Sequence, residues 1–165
     1  MLLETSKEIL LTAIAIERYG QEFYARFGEA VPDRKGKALM KGLGGDEKEH
    51  EDLLSEHYKS LFKRAPPKKI DADIGTRAVK EIFALRKEKD KKDPTLEILQ
   101  IGVLVEQKSI AFYTDNAAKV TDDKLKRLLL TLIDIEKGHK ALLEENLFHM
   151  RQEGSWWGYE PILDG

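Results

Sequence analysis

Glu17 is followed after 29 residues by Glu47-x-x-His50, and Glu106 is followed after 29 residues by Glu136-x-x-His139. The two copies are offset by 89 positions, and Phe23-Tyr24 recurs as Phe112-Tyr113 at that same offset. Carboxylate oxygens and imidazole nitrogens are ligands for first-row metal ions. Four carboxylates and two imidazoles form a plausible ligand set for two such ions. Residues three apart on a helix share a face, so each Glu-x-x-His would present both groups together.

A single Glu-x-x-His carries little weight in a chain with 35% charged residues. The surroundings of the other two carboxylates carry more. Glu17 sits among Ala13, Ile14, Ile16 and Phe23, and Glu106 among Ile101, Val103, Leu104, Val105 and Ile110. Four carboxylates crowded into such a core would repel one another and lose hydration, unless cations compensate them. Two divalent or trivalent metals are the simplest compensation.

Four long helices must position these groups. The first is expected from about Ser6 to Ala30, with Thr5 and Glu8 as a capping box and a stripe of Ile9, Ala13, Ile16, Tyr19, Phe23 and Phe27. Pro32-Asp33 breaks it, and Asp33 caps a second helix to about Arg64, ended by Pro66-Pro67. A connector follows, with a shorter helix expected from about Thr76 to Lys89. Asp93-Pro94 opens a third helix to about Lys119, and Thr121 or Asp122 caps a fourth to about Glu153. The expected organisation is therefore an all-α four-helix bundle over residues 1–153. It comprises two antiparallel hairpins joined by a long crossover at about 65–92, then an aromatic tail at 154–165.

The repeat extends into the hairpins. The same offset relates Val31 to Val120, Asp33 to Asp122, Leu39 to Leu128, Leu43 to Leu132 and Leu54 to Leu143, among others. Two like hairpins imply a pseudo-two-fold axis, and a site on that axis receives equivalent ligands from each half. Glu17 lies 15 residues before Pro32 and Glu47 lies 15 after it. A helical rise of 1.5 Å per residue puts both about 22 Å from the turn, so the carboxylates are level.

Composition excludes several classes. The 165 residues suffice for one domain with a sizeable core, and the net charge of -2 gives no case for a nucleic-acid partner. No stretch reaches the roughly 20 apolar residues of a membrane span. Glu4, Lys7 and Glu8 follow the first apolar residues at once, so no signal peptide is expected. Zero Cys excludes disulfides, thiolate zinc sites and Cys-ligated iron in this chain, and a cytoplasmic location is expected.

The twofold Glu and Glu-x-x-His pattern resembles the ferritin-like di-iron carboxylate superfamily. With the Phe-Tyr pair six residues past the first Glu, it looks most like the rubrerythrin group. The resemblance covers roughly residues 6–153. It implies Glu17 and Glu106 as terminal or partly bridging ligands, Glu47 and Glu136 as bridging carboxylates, and His50 and His139 as one nitrogen ligand per metal. It further implies two iron ions and reduction of hydrogen peroxide or dioxygen with electrons from an external donor protein, in a homodimer. A ferroxidase of the ferritin type, a dimanganese catalase, and a helical metal-binding protein without turnover remain alternatives. Two features depart from the group. This chain holds no Cys for the four-Cys iron of the group's rubredoxin domain, and Val103 and Ser109 stand where an additional Glu is common.

Several further residues bear on the site. Tyr24 and Tyr113 each fall seven residues after a ligand Glu, on the same face. They are read either as hydrogen-bond donors to a ligand carboxylate or as packed core aromatics. His57 and His149 are expected outside the ligand set. Gly44, three residues before Glu47, is expected to leave room beside the metals or simply to allow a close helix contact. The tail carrying Trp156, Trp157 and Tyr159 is expected either to fold over the bundle or to bury in a partner subunit. The charged run 86–92 is expected to be a solvated helix end.

Overall fold

The structure is a computed structural model and describes residues 2–70 and 94–159. The described residues form four helices: α1, Leu2–Ala30; α2, Arg34–Phe62; α3, Pro94–Ala117; and α4, Asp123–Glu153. No strand occurs among the described residues. The expected helix at Thr76–Lys89 and the charged run 86–92 lie outside the described residues.

Both hairpin turns end in the same cap. Asp33 Oδ1 accepts from the amides of Lys35, at 2.8 Å, and Gly36, at 3.1 Å. Asp122 Oδ1 accepts from Lys124, at 2.9 Å, and Leu125, at 3.3 Å. Each side chain satisfies two amides that have no partner within the helix.

The helix ends depart from expectation in three places. α1 begins at Leu2, so Thr5 lies inside it; residues 2–5 include no Gly or Pro to stop an earlier start. α2 ends at Phe62, short of Arg64 and of Pro66-Pro67, because Lys63 takes a left-handed φ of 56°. α3 ends at Ala117, where the Asn116 carbonyl accepts from both Lys119 and Val120 and closes the turn. α4 runs to Glu153 as expected, ended by Gly154 at φ 66°, a conformation glycine adopts without a Cβ clash.

Side-chain contacts fix the directions of the helices. Arg18 on α1 pairs with Glu51 on α2 at 2.7 Å, and Gly28 faces Met40, so these two are antiparallel. Tyr24 bonds Glu106 while Tyr113 bonds Glu17, so α1 and α3 are antiparallel. His50 meets Glu136 and His139 meets Glu47, which makes α2 and α4 antiparallel too. α2 and α3 therefore run the same way. α3 starts at the end of the bundle opposite the one where α2 stops, and a long connection must join them.

The buried interior has three parts. One apolar cluster joins Phe23, Tyr24, Leu39, Leu43, Leu99, Val105, Leu143 and Trp156. A second joins Leu10, Ile14, Leu54, Tyr58, Tyr113, Leu125, Leu129 and Leu132. Between them lies a layer of buried Glu and His from all four helices. Tyr19, assigned to the inward stripe by its spacing, is instead 49% exposed. At 3.6 residues per turn it falls at the edge of the arc that Ile16 and Phe23 define.

Candidate metal centre

The six singled-out groups meet in one layer. Glu17, Glu47, His50, Glu106, Glu136 and His139 are each no more than 3% exposed. Their atoms form two groups, each with all donors within 4.8 Å of one another. One is Glu17, Glu47, His50 and Glu136; the other is Glu106, Glu136, His139 and Glu47. Glu47 and Glu136 belong to both.

The halves mirror each other in detail. His50 Nδ1 lies 3.1 Å from Glu47, 3.3 Å from Glu136 and 3.4 Å from Glu17. His139 Nδ1 lies 2.9 Å from Glu136, 3.5 Å from Glu47 and 3.9 Å from Glu106. The two imidazoles stack with centroids 5.6 Å apart and planes 20° from parallel. A Cβ at Gly20 would stand 3.2 Å from Glu47 Cγ, so the bare backbone of α1 there gives that side chain its room.

The tyrosines cross between the hairpins. Tyr24 Oη donates to Glu106 Oε1, and Tyr113 Oη donates to Glu17 Oε1. Of the two roles expected for them, the hydrogen bond to a carboxylate and the packed core aromatic are both realised, since both rings are fully buried.

Without a metal, burial and mutual contacts pull the proton affinities of the six groups apart. Burial holds Glu17 well above the usual carboxylate range, reinforced by the charges of Glu47 and Glu136. Burial likewise raises Glu106, with the charges of Glu136 and Glu47 adding to it. Burial also opposes ionisation of Glu47 and Glu136. Hydrogen bonds from Glu17, His139 and His50 overcome this at Glu47, and the charge and hydrogen bonds of the imidazoles do so at Glu136, so both sit below the usual range. Burial opposes charge on the imidazoles too, yet their carboxylate partners hold His50 and His139 far above their ordinary value. The layer thus favours charge on Glu47, Glu136 and both imidazoles and disfavours it on Glu17 and Glu106. In the absence of metal, protons do the compensating that the carboxylates require.

The donor set also fits metal ions. Four carboxylates and two imidazoles converge from four helices, and oxygen-rich sets with imidazole suit iron or manganese. A model of the family described as Rubrerythrin matches residues 8–147. The chain belongs to the rubrerythrin family. The ferritin-like helical bundle this implies is the fold described above, and membership implies metal binding.

Two solved structures share the bundle. A hypothetical protein from Pyrococcus furiosus is 23% identical with a TM-score of 0.68, over 88% of this chain and 90% of that one. A dodecameric thioferritin, the bacterioferritin-related protein from Bacteroides fragilis, is 17% identical with a TM-score of 0.69, over 92% and 89%. No curated protein matches this chain in sequence.

Elsewhere the structure separates the remaining candidates from the layer. His57 Nε2 lies 3.0 Å from the cap residue Asp122, and His149 Nε2 lies 3.1 Å from Glu145. Ser109 is buried with its hydroxyl donating to the Val105 carbonyl at 3.0 Å, and Val103 is half-buried, so no carboxylate enters from either position. A Cβ at Gly44 would touch Tyr24 Cβ at an ordinary 3.5 Å. Gly44 and Tyr24 line an open groove of about 500 Å³ between α1 and α2, with Gln21, Gly28, Met40 and Lys41.

Sequence reasoning missed Asp46, Tyr159 and Asn146. Asp46 Oδ2 lies 3.1 Å from His139 Nε2, and Tyr159 Oη donates to Asp46 at 3.0 Å. Asn146 brackets Gly158, donating to its carbonyl and accepting from its amide, both at 2.8 Å. Of the two expected courses for the tail, its described part folds back over the bundle. The one signal that could have found Asp46 is its place directly before the ligand candidate Glu47.

Proposed function

We propose that this chain binds two iron ions and reduces hydrogen peroxide or dioxygen with electrons from an external protein donor. The observation that carries the reading is the sharing of Glu47 and Glu136 between two donor groups, each completed by one Glu and one His. Glu17 and His50 would hold one ion, and Glu106 and His139 the other, with Glu47 and Glu136 bridging.

Two ferrous ions, when bound, would supply the two electrons that cleave the O–O bond of peroxide or that carry dioxygen to peroxide, and the external donor would replace them. The chain's residues do the rest. Glu47 and Glu136, already ionised, provide fixed negative charge without reorganisation. Tyr24 and Tyr113 hold Glu106 and Glu17 in place and keep a proton at each Oη, within hydrogen-bond reach of a carboxylate. The apolar clusters on both sides keep bulk water from the layer. A small oxidant would approach by the groove that Gly44 and Tyr24 line.

The test is to load metal-free protein with Fe(II) under anaerobic conditions and add hydrogen peroxide or dioxygen in separate experiments. Oxidation of both ions, faster with peroxide, is the expected result. Metal binding with no reaction toward either oxidant would leave a helical metal-binding protein and sink the reading.

The second reading is iron handling of the ferritin type, favoured by the likeness in fold to a dodecameric thioferritin. It predicts a cage-sized species by size-exclusion chromatography and faster reaction with dioxygen, where the leading reading predicts a homodimer. Manganese in place of iron would make the same layer a dimanganese site. No described helix is long and apolar enough to cross a membrane.

A further inference from the structure

The pseudo-two-fold symmetry of the bundle is broken at a particular set of positions. At the offset of 89, Gly36 is replaced by Leu125, Gly42 by Thr131, Asp46 by Ile135, and Asn146 by His57. The four named on α2 and α4 (Gly36, Gly42, Asp46 and Asn146) all touch the tail. A Cβ at Gly36 would come within 2.6 Å of the Trp156 ring, and one at Gly42 within 2.6 Å of the Tyr159 ring. Those glycines give the two rings their seats on α2. Asn146 pins Gly158 between the rings through two hydrogen bonds of 2.8 Å, at a backbone φ of 113°. Tyr159 Oη then reaches Asp46, and Asp46 reaches His139 Nε2.

We propose that residues 154–159 form a strap that makes the two metal positions unequal, by holding Asp46 against His139. This rests on the two-metal reading above. His139 presents Nδ1 to the carboxylate layer and Nε2 to Asp46. A carboxylate accepting the Nε2 hydrogen fixes the tautomer and ring orientation, and makes Nδ1 a better donor to a metal. At the equivalent place in the other half stands Ile135, whose side chain has no acceptor to offer His50. The position bounded by Glu106 and His139 therefore binds its ion more tightly than the one bounded by Glu17 and His50. Asp46 is a positioning residue acting through His139, and Tyr159 acts through Asp46.

Co(II) is the probe, because each bound ion gives visible ligand-field bands and needs no oxidant. The full-length metal-free chain titrated with Co(II) is expected to fill in two resolved steps. Asp46→Ala is expected to weaken the tighter step about 10- to 100-fold, the range for loss of a carboxylate behind a metal-bound His. The weaker step stays within about twofold. Tyr159→Phe, which keeps the ring on Gly42, moves the same step in the same direction by less, and Asp46→Asn recovers part of the loss by retaining an acceptor oxygen. The band shifted by Asp46→Ala should be the one abolished by His139→Gln and not the one abolished by His50→Gln. Equal affinities in the wild type, or equal weakening of both steps by Asp46→Ala and Tyr159→Phe, would overturn the strap. Failure of the wild type to bind any Co(II) would instead overturn the two-metal reading beneath it.

Discussion

Tyr24 on α1 donates its phenolic hydrogen not to the Glu of its own helix but to Glu106 on α3, and Tyr113 returns the same bond to Glu17. The two hairpins are stitched together through the carboxylates themselves. Both hydroxyls lie in a fully buried layer, so neither carboxyl has water as a substitute partner.

Tyr24→Phe and Tyr113→Phe should each destabilise the metal-free protein by about 1–3 kcal/mol, the penalty for leaving a buried acceptor unsatisfied. Because the two contacts are related by the repeat, the losses should be similar. Chemical denaturation of each variant checks this, and a loss confined to one of them would break the equivalence of the halves.

Metal loading should be strongly pH-dependent. Glu17, Glu106, His50 and His139 all have their proton affinities raised in the metal-free protein. Each therefore binds a proton more tightly than usual, and an incoming ion must compete with it. Apparent metal affinity should fall as pH falls and rise as pH rises, with protons released on binding. Calorimetric titration in two buffers of different ionisation enthalpy measures the release. A binding heat that does not depend on the buffer would contradict it.

Metal removal should lower thermal stability. An ion that binds only the folded state, present at 100 times its Kd, stabilises by about 2.7 kcal/mol. For a chain of this size each kcal/mol moves Tm by roughly 2–4 °C. Chelation should then lower Tm by several degrees, and Glu47→Ala or Glu136→Ala should abolish the difference between loaded and chelated protein.

The two caps can be compared directly. Asp33→Ala and Asp122→Ala should each cost about 1 kcal/mol. Asp122→Ala should cost more, because it also removes the partner of His57. The hydrogen bond from His57 and those from the Lys124 and Leu125 amides hold the Asp122 carboxyl below its usual range. The contribution of Asp122 is therefore present above the unfolded carboxyl's pKa and fades as pH falls through the lowered folded value. Melting curves of the wild type and both variants between neutral and acidic pH would show the difference between the two alanine variants closing at low pH.

Gly44→Ile should fill the groove above Tyr24 while leaving the metal layer intact. Slower reaction with peroxide at unchanged metal content is the expected result, and an unchanged rate would show that the oxidant enters elsewhere.

The carboxylate and imidazole layer was legible in the sequence because it repeats at a constant offset, and the caps at Asp33 and Asp122 were legible for the same reason. The crossing of the tyrosines was not. Seven residues correspond to about 10.5 Å along a helix, so Tyr24 shares a face with Glu17 but cannot reach it. Its partner is set by the antiparallel packing of α1 on α3, which no local pattern encodes. Asp46 escaped for the opposite reason: it has no counterpart in the repeat, and its role depends on a tail with no helical period. The early helix end at Phe62 reflects a left-handed Lys63, an uncommon conformation for a residue other than glycine, which composition does not signal.

The central claim is that six buried side chains hold two metal ions between two shared carboxylates. Anaerobic titration of the metal-free chain with Fe(II), with iron counted per chain after removal of the unbound excess, tests it most directly. Saturation at about two ions per chain, lost in Glu47→Ala and in Glu136→Ala, is the result the shared-ligand geometry predicts. Iron near zero in the wild type, or undiminished when both shared carboxylates are removed, would contradict it.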